Sequence, residues 1–387
     1  MELSRRIRGV SPSATLTITS KAKAMKKQGI DVVSFGAGEP DFDTPQYIKV
    51  AAAEAIEKGK TKYTPSIGTV ELREAICEKL SDFNGLEYRP EDIVVSNGAK
   101  HTLYNIFQAI CDEGDEVIVA SPYWVSYTEM VKLSGARPVI VPTLPDEGFK
   151  MKPEDLSAAL SKKTKAVIIN SPSNPTGCVY SRDELKAISD IALKGNIRVI
   201  ADEIYERLIY DGQEHFSFAA LGQEVKDITI LVNGVSKTYS MTGWRIGYLA
   251  SSDREMTKSI KNLQDHSSSN PSSISQEAAM AALTKEDGSV EKMKKEFEAR
   301  RDYMVERIAK IGQFSCVKPG GAFYCFVDVS QVNKDSLEFA GKLLDDAKVA
   351  VIPGEGFGTP GYIRLSFATS MENIEKGFDR IEEWLKQ

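Results

Sequence analysis

The run Ala166-Val167-Ile168-Ile169-Asn170 passes directly into Ser171-Pro172-Ser173-Asn174-Pro175-Thr176-Gly177. A short apolar run bounded by a cluster of turn-forming residues describes a buried strand that opens into a loop. The same pattern recurs on both sides of it. Apolar runs stand at 93–96, 116–120, 198–201 and 229–232, and helical patterns such as 100–111 and 181–193 lie between most of them. Strands alternating with helices imply an α/β fold with a mostly parallel sheet covered on both faces. The run 245–250 follows another strand closely and is expected to be an antiparallel member.

Each of these strands ends in distinctive polar residues. Gly98-Ala99-Lys100 follows the first and Ser121-Pro122-Tyr123-Trp124 the second. Asp202-Glu203-Ile204-Tyr205 and Gly234-Val235-Ser236-Lys237 follow two of the others. In an open α/β sheet, ligands bind beyond the carboxyl ends of the strands, so these clusters are expected to share one site.

The ends of the chain differ. A basic helical pattern covers about 15–29 and leads into a short apolar run at 32–35. A long charged amphipathic helix is expected over 289–310. Strands at 322–327, 350–352 and 362–367 and a last helix over 372–384 follow it. The chain has 387 residues, and a single core rarely grows past about 250–300. The expected division is a large domain over 45–285 and a smaller α+β domain from 1–44 and 286–387.

Apolar residues make up 42% and charged residues 27%, the balance of an ordinary globular protein. The net charge of −6 argues against a nucleic-acid or anionic-membrane partner. No signal peptide and no bilayer-spanning apolar stretch is read, which leads to a cytoplasmic expectation. The five cysteines form no C-x-x-C pair, and the three histidines are far apart in sequence, so no metal site is expected. Gly59-Lys60-Thr61 lacks the upstream glycine of a phosphate-binding loop, because Glu54 stands there. Gly354-Glu355-Gly356-Phe357-Gly358 precedes a strand rather than a helix and is read as a flexible loop, not a dinucleotide fingerprint.

The order Asn174-Pro175-x-Gly177, Asp202-x-x-Tyr205, Ser236-Lys237 and Gly243-Trp244-Arg245-x-Gly247 resembles the class I, fold-type I aminotransferases that depend on pyridoxal 5'-phosphate (PLP). The resemblance runs from Gly36-Ala37-Gly38-Glu39-Pro40-Asp41 to Arg364-Leu365-Ser366-Phe367-Ala368-Thr369. Lys100 and Ser121-Pro122-Tyr123-Trp124-Val125-Ser126-Tyr127 are similar to the bacterial aspartate aminotransferase subgroup. The resemblance implies a seven-stranded main sheet, and a homodimer with shared active sites.

PLP chemistry needs a lysine that joins the cofactor aldehyde, a carboxylate against the pyridine nitrogen, donors for the ring phenolate and cations for the phosphate. The resemblance gives these parts to Lys237, Asp202, Tyr205 with Asn174, and Arg245. Gly98, Ala99, Lys100 and Ser236 would also contact the cofactor, since a helix N-terminus favours an anion. Trp124 would cover the ring face, and Tyr63 would reach the phosphate of the neighbouring subunit. On the substrate side, Arg364 would grip the α-carboxylate through its planar guanidinium, and Gly38 would let the chain pass close by. Lys100, aided by Ser13 and Thr15, would meet a second carboxylate.

The implied activity is ping-pong amino transfer between aspartate or glutamate and a 2-oxo acid such as 2-oxoglutarate or oxaloacetate. Transamination of aromatic amino acids or prephenate, or C–S β-elimination, would use the same cofactor site. Ser11 stands where prephenate-using relatives carry a basic residue, which weighs against prephenate.

Overall fold

The computed structural model describes residues 3–10 and 14–386. Its main sheet has seven strands in the order Ile93–Ser96, Gly247–Ala250, Thr229–Gly234, Arg198–Asp202, Thr164–Asn170, Glu116–Ser121, Arg137–Pro142. Gly247–Ala250 runs antiparallel to both neighbours, and the other pairings in the sheet are parallel.

Side chains alternate between the two faces of a strand. In Thr164–Asn170, Ala166 and Ile168 enter one apolar cluster while Val167 and Ile169 enter another. Helices cover both faces, which is why the strand reads as a continuous apolar run. Each fully buried aliphatic side chain here contributes roughly 1.5–3 kcal/mol. The covering helices carry their own start signals. Ser181 accepts from the Glu184 N–H at 3.3 Å and Glu184 accepts from the Ser181 N–H at 2.7 Å, which opens the helix Arg182–Gly195. Removing such a cap costs about 1 kcal/mol.

The two ends of the chain build a second layer. Val33–Ser34 pairs with Val349–Ala350, and Ile352–Pro353, Tyr362–Ser366, Tyr324–Asp328 and Ser315–Cys316 form an antiparallel sheet in that order. Gly377 lets the helix Met371–Trp384 press on this layer, because a Cβ there would lie 2.3 Å from the Phe35 ring. The long helix Ser289–Lys310 ties the layers together. Its buried Arg301 is held bidentately by Asp211 at 2.8 and 2.9 Å, and Arg300 reaches Asp41 at 2.8 Å.

Three expectations are corrected and one strand is added. The strand expected at 245–250 begins at Gly247, because Arg245 has a left-handed φ of 58°. The strand expected at 350–352 divides at Val351, with its halves in different sheets. The seventh strand, Arg137–Pro142, is not among the expected runs; it lies at the sheet edge, where Pro138 and Pro142 are tolerated. The segment Gly354–Phe357 is a tied 3-10 turn rather than a loose loop. The Gly354 N–H donates to Ser336 Oγ at 3.2 Å, and that hydroxyl donates to Glu355 at 2.6 Å.

Candidate active site

A cleft of about 1290 Å³ opens at the carboxyl ends of the parallel strands. Gly38, Ala99, Lys100, Trp124, Asn174, Asp202, Tyr205, Ser236, Lys237, Arg245 and Arg364 all line it. Residues far apart in sequence therefore meet in one place, as the strand-end clusters imply.

Asp202 closes its strand and is 4% exposed. The Tyr127 hydroxyl donates to its Oδ2 at 2.6 Å and the Ile204 N–H to its Oδ1 at 3.3 Å. Burial outweighs these bonds and pushes its pKa up to about 6. A carboxylate with its proton affinity raised in this way is suited to a cationic partner inside the cleft.

Lys237 follows the strand Thr229–Gly234. Its ammonium donates to the Gly38 carbonyl and lies 5.7 Å from the Tyr205 ring centre. Burial, and then the Arg364 charge, lower its pKa to about 8. An amine so adjusted is available as nucleophile and base near neutral pH. Burial holds the Tyr205 hydroxyl protonated, with its pKa well above the ordinary value. The Tyr205 and Tyr324 hydroxyls are 3.0 Å apart.

Arg364 comes from Tyr362–Ser366 in the second layer and is 2% exposed. Nη1 donates to Asn174 Oδ1 at 3.0 Å and Nη2 to the Gly36 carbonyl at 3.1 Å. Its guanidinium lies 4.3 Å from the Tyr324 ring centre, and its buried Nε has no partner among the described residues. No carboxylate pairs with it among those residues, an arrangement that suits an incoming anion.

Arg245 donates to the carbonyls of Thr242 at 2.8 Å and Asn97 at 3.2 Å. It crosses the start of the helix Ala99–Ile110, where Gly98 has φ +89°. A Cβ on Gly98 would lie 2.2 Å from Arg245 Nη2, and one on Gly247 would lie 2.1 Å from the Ala99 nitrogen. Glycine at both positions lets guanidinium, helix N-terminus and sheet converge, which makes an anion cradle. Lys100 stands at this helix start and lines the cleft, with Nζ 4.9 Å from the Trp124 ring centre. Burial and then the Arg245 charge lower its pKa.

Tyr63 is 90% exposed and does not line the cleft of its own chain. Ser11 and Ser13 lie outside the described residues, as does the side chain of Thr15. Two contributors went unread in the sequence. Tyr127 stands within the matching stretch Ser121–Tyr127, and Tyr324 within the strand expected over 322–327. Nothing in their local patterns separates them from core aromatics.

The histidine that looks isolated in sequence is not isolated in space. Ligand-type atoms of His215, Glu203 and Glu206 lie within 4.8 Å of one another. The Lys79 ammonium donates to Glu206 there, so a cation is already in place.

The family described as aminotransferase class I and II matches residues 30–381. An aspartate aminotransferase of Bacillus sp. strain YM-2 is 51% identical over 99% of both chains. One from Bacillus subtilis is 48% identical over the whole of both. The Thermus thermophilus aspartate aminotransferase solved with maleate superposes with a TM-score of 0.95, at 44% identity over 99% of each chain. Among the described residues of the present chain, no helix is long and apolar enough to cross a membrane.

Proposed function

The chain belongs to the class I and II aminotransferase family, and from that premise we propose how its cleft performs amino transfer. It is a PLP-dependent aminotransferase, and its amino donor is an acidic L-amino acid. The observation that carries the residue assignment is the convergence of Lys237, Asp202 and Arg364 on one cleft.

The side chains fit the cofactor. Asp202, buried and raised to about 6, matches a pyridinium nitrogen. Arg245 and the open helix start at Gly98, Ala99 and Lys100 match a phosphate, with Ser236 beside them. Bound there, PLP supplies an aldehyde that captures amines and a protonated ring that draws electrons from the substrate α carbon. Lys237 Nζ would hold the cofactor aldehyde and, once freed by the substrate amine, would serve as the base for the α proton. Tyr205 and Asn174 would donate to the phenolate oxygen, while Tyr127 orients Asp202 through its 2.6 Å bond. Trp124, which lines the cleft, would cover the ring face.

Arg364 takes the substrate α-carboxylate, and Gly38 leaves room beside it. Lys100 meets the second carboxylate, with Ser13 and Thr15 as helpers from the N-terminal segment. The maleate-bound relative, which carries a dicarboxylate, supports an acidic substrate. We take 45–285 as the unit that holds the cofactor, and 1–44 with 286–387 as the unit that brings Arg364. The exposed Tyr63 supports a homodimer in which each chain completes the other's phosphate site. The expected location is the cytoplasm.

Steady-state kinetics test the substrate assignment. Wild type shows a ping-pong pattern with aspartate and 2-oxoglutarate. Lys100→Ala loses kcat/KM for aspartate by about 30-fold or more, the effect of removing roughly 2 kcal/mol from a desolvated charge pair. The same variant changes turnover of an apolar or aromatic amino acid little. Equal losses on both classes would refute the role of Lys100.

A further inference from the structure

The segment Asp202-Glu203-Ile204-Tyr205-Glu206 contains two kinds of residue. Asp202 and Tyr205 line the cleft. Glu203 and Glu206 do not line it, yet they are only 3% and 4% exposed. Buried carboxylates persist only when hydrogen-bonded or paired, and both are. Glu203 Oε1 accepts from the Ser217 hydroxyl at 3.0 Å and the Phe218 N–H at 2.9 Å. Its Oε2 faces His215 Nε2 at 2.9 Å. Glu206 accepts from the Lys79 ammonium and from Asn84 Nδ2 at 2.9 Å, both on the helix Val70–Asn84.

The backbone of this turn is closed as well. The Glu203 N–H donates to the Val232 carbonyl at 2.9 Å and the Glu206 N–H to the Glu203 carbonyl at 3.0 Å. The turn that presents Asp202 and Tyr205 is thus pinned from behind at two carboxylates, by different parts of the chain. The Glu203 anchor also has an ionisable partner. His215 directs Nε2 at Glu203, and its buried Nδ1 has no hydrogen-bond partner among the described residues. Amino transfer as described uses neither residue. Neither Glu203 nor His215 lines the cleft.

We propose that Glu203 and His215 are positioning residues for amino transfer, a pair that fixes from outside the cleft the turn aiming Asp202 and Tyr205. The inference rests on the roles proposed above for those two residues. Its physical basis is that reacting groups must be held within a fraction of an ångström. Misplacement by about 1 Å can cost roughly a hundredfold in rate, and loss of an outer hydrogen-bonding partner can cost about 10–100-fold. The ground-state grip on substrate belongs to Arg364 and Lys100, which the pair does not touch.

The test compares full-length, PLP-loaded wild type with Glu203→Ala, Glu203→Gln and His215→Asn, each assayed for kcat and for KM with aspartate. Glu203→Ala is expected to lower kcat by about tenfold or more, with KM within about threefold of wild type. Glu203→Gln keeps an oxygen for Ser217 and the Phe218 N–H, and is expected to recover much of that loss. His215→Asn leaves the carboxylate in place and keeps the test open if the alanine variant is insoluble. It is expected to show the same kcat-only effect, more weakly. Wild-type kcat in Glu203→Ala or in His215→Asn, or a Gln variant no better than Ala, overturns the inference alone. Absence of turnover in the wild type overturns the functional reading and the inference with it.

Discussion

Lys237→Ala protein folds, and its kcat for aspartate falls by at least about 10³-fold. The side chain has two roles in the account, as the covalent anchor of the cofactor and as the carrier of the α proton. Removal of a general base alone costs about 10²–10⁴-fold. Lys100 does not take its place: it stands at the start of the helix Ala99–Ile110 and its Nζ lies 4.9 Å from the Trp124 ring centre. The fold survives because truncating Lys237 removes a desolvated amine whose hydrogen bond goes to the Gly38 carbonyl rather than to a carboxylate. Circular dichroism and thermal unfolding check the fold, and a coupled oxaloacetate assay checks the rate. A folded variant within tenfold of wild type would contradict both roles.

Arg364→Ala is expected to lower kcat/KM for aspartate by about 30-fold to several thousand-fold, the range of roughly 2–5 kcal/mol for removing one partner of a buried charge pair. The guanidinium is 2% exposed, fixed by Asn174 and the Gly36 carbonyl and stacked near Tyr324 and Phe357. Its planar fork is therefore set before substrate arrives, which keeps the ordering cost of binding low. Arg364→Lys recovers only part of the loss, because an ammonium cannot reproduce a bidentate contact. The effect extends to amino acids of every side-chain class, since all share the α-carboxylate. That breadth separates Arg364 from Lys100, whose loss is selective. Initial-rate measurements with aspartate and an aromatic amino acid check the contrast. A loss confined to aspartate would contradict the assignment.

Much of this site is legible in the sequence because topology does the gathering. Four of the five short apolar runs end in or are closely followed by glycine, asparagine, aspartate or lysine, and this brings Ala99, Asn174, Asp202 and Lys237 to one cleft. Arg364 is legible only through the family resemblance, since a lone arginine in a strand has no local signature. Tyr324 shows the limit most clearly. It sits in a strand of buried apolar residues, and its contact with Tyr205 spans 119 positions. Tyr127 likewise reads as an ordinary helix residue until Asp202 is placed 2.6 Å from it. The pairing of His215 with Glu203 was hidden for a similar reason. Metal-type and charge-type clusters are recognised in sequence by spacing, and these partners lie 12 residues apart in a segment without regular structure.

The most direct test of the central claim is the visible absorbance of the purified protein with PLP, read before and after aspartate is added and beside Lys237→Ala. A band from cofactor linked to Lys237 is expected. Aspartate should convert it to the amine form of the cofactor, and 2-oxoglutarate should restore it. In Lys237→Ala that band should be missing. A wild-type spectrum identical to that of the variant, with no band that aspartate alters, would contradict the assignment of Lys237 and the amino-transfer function built on it.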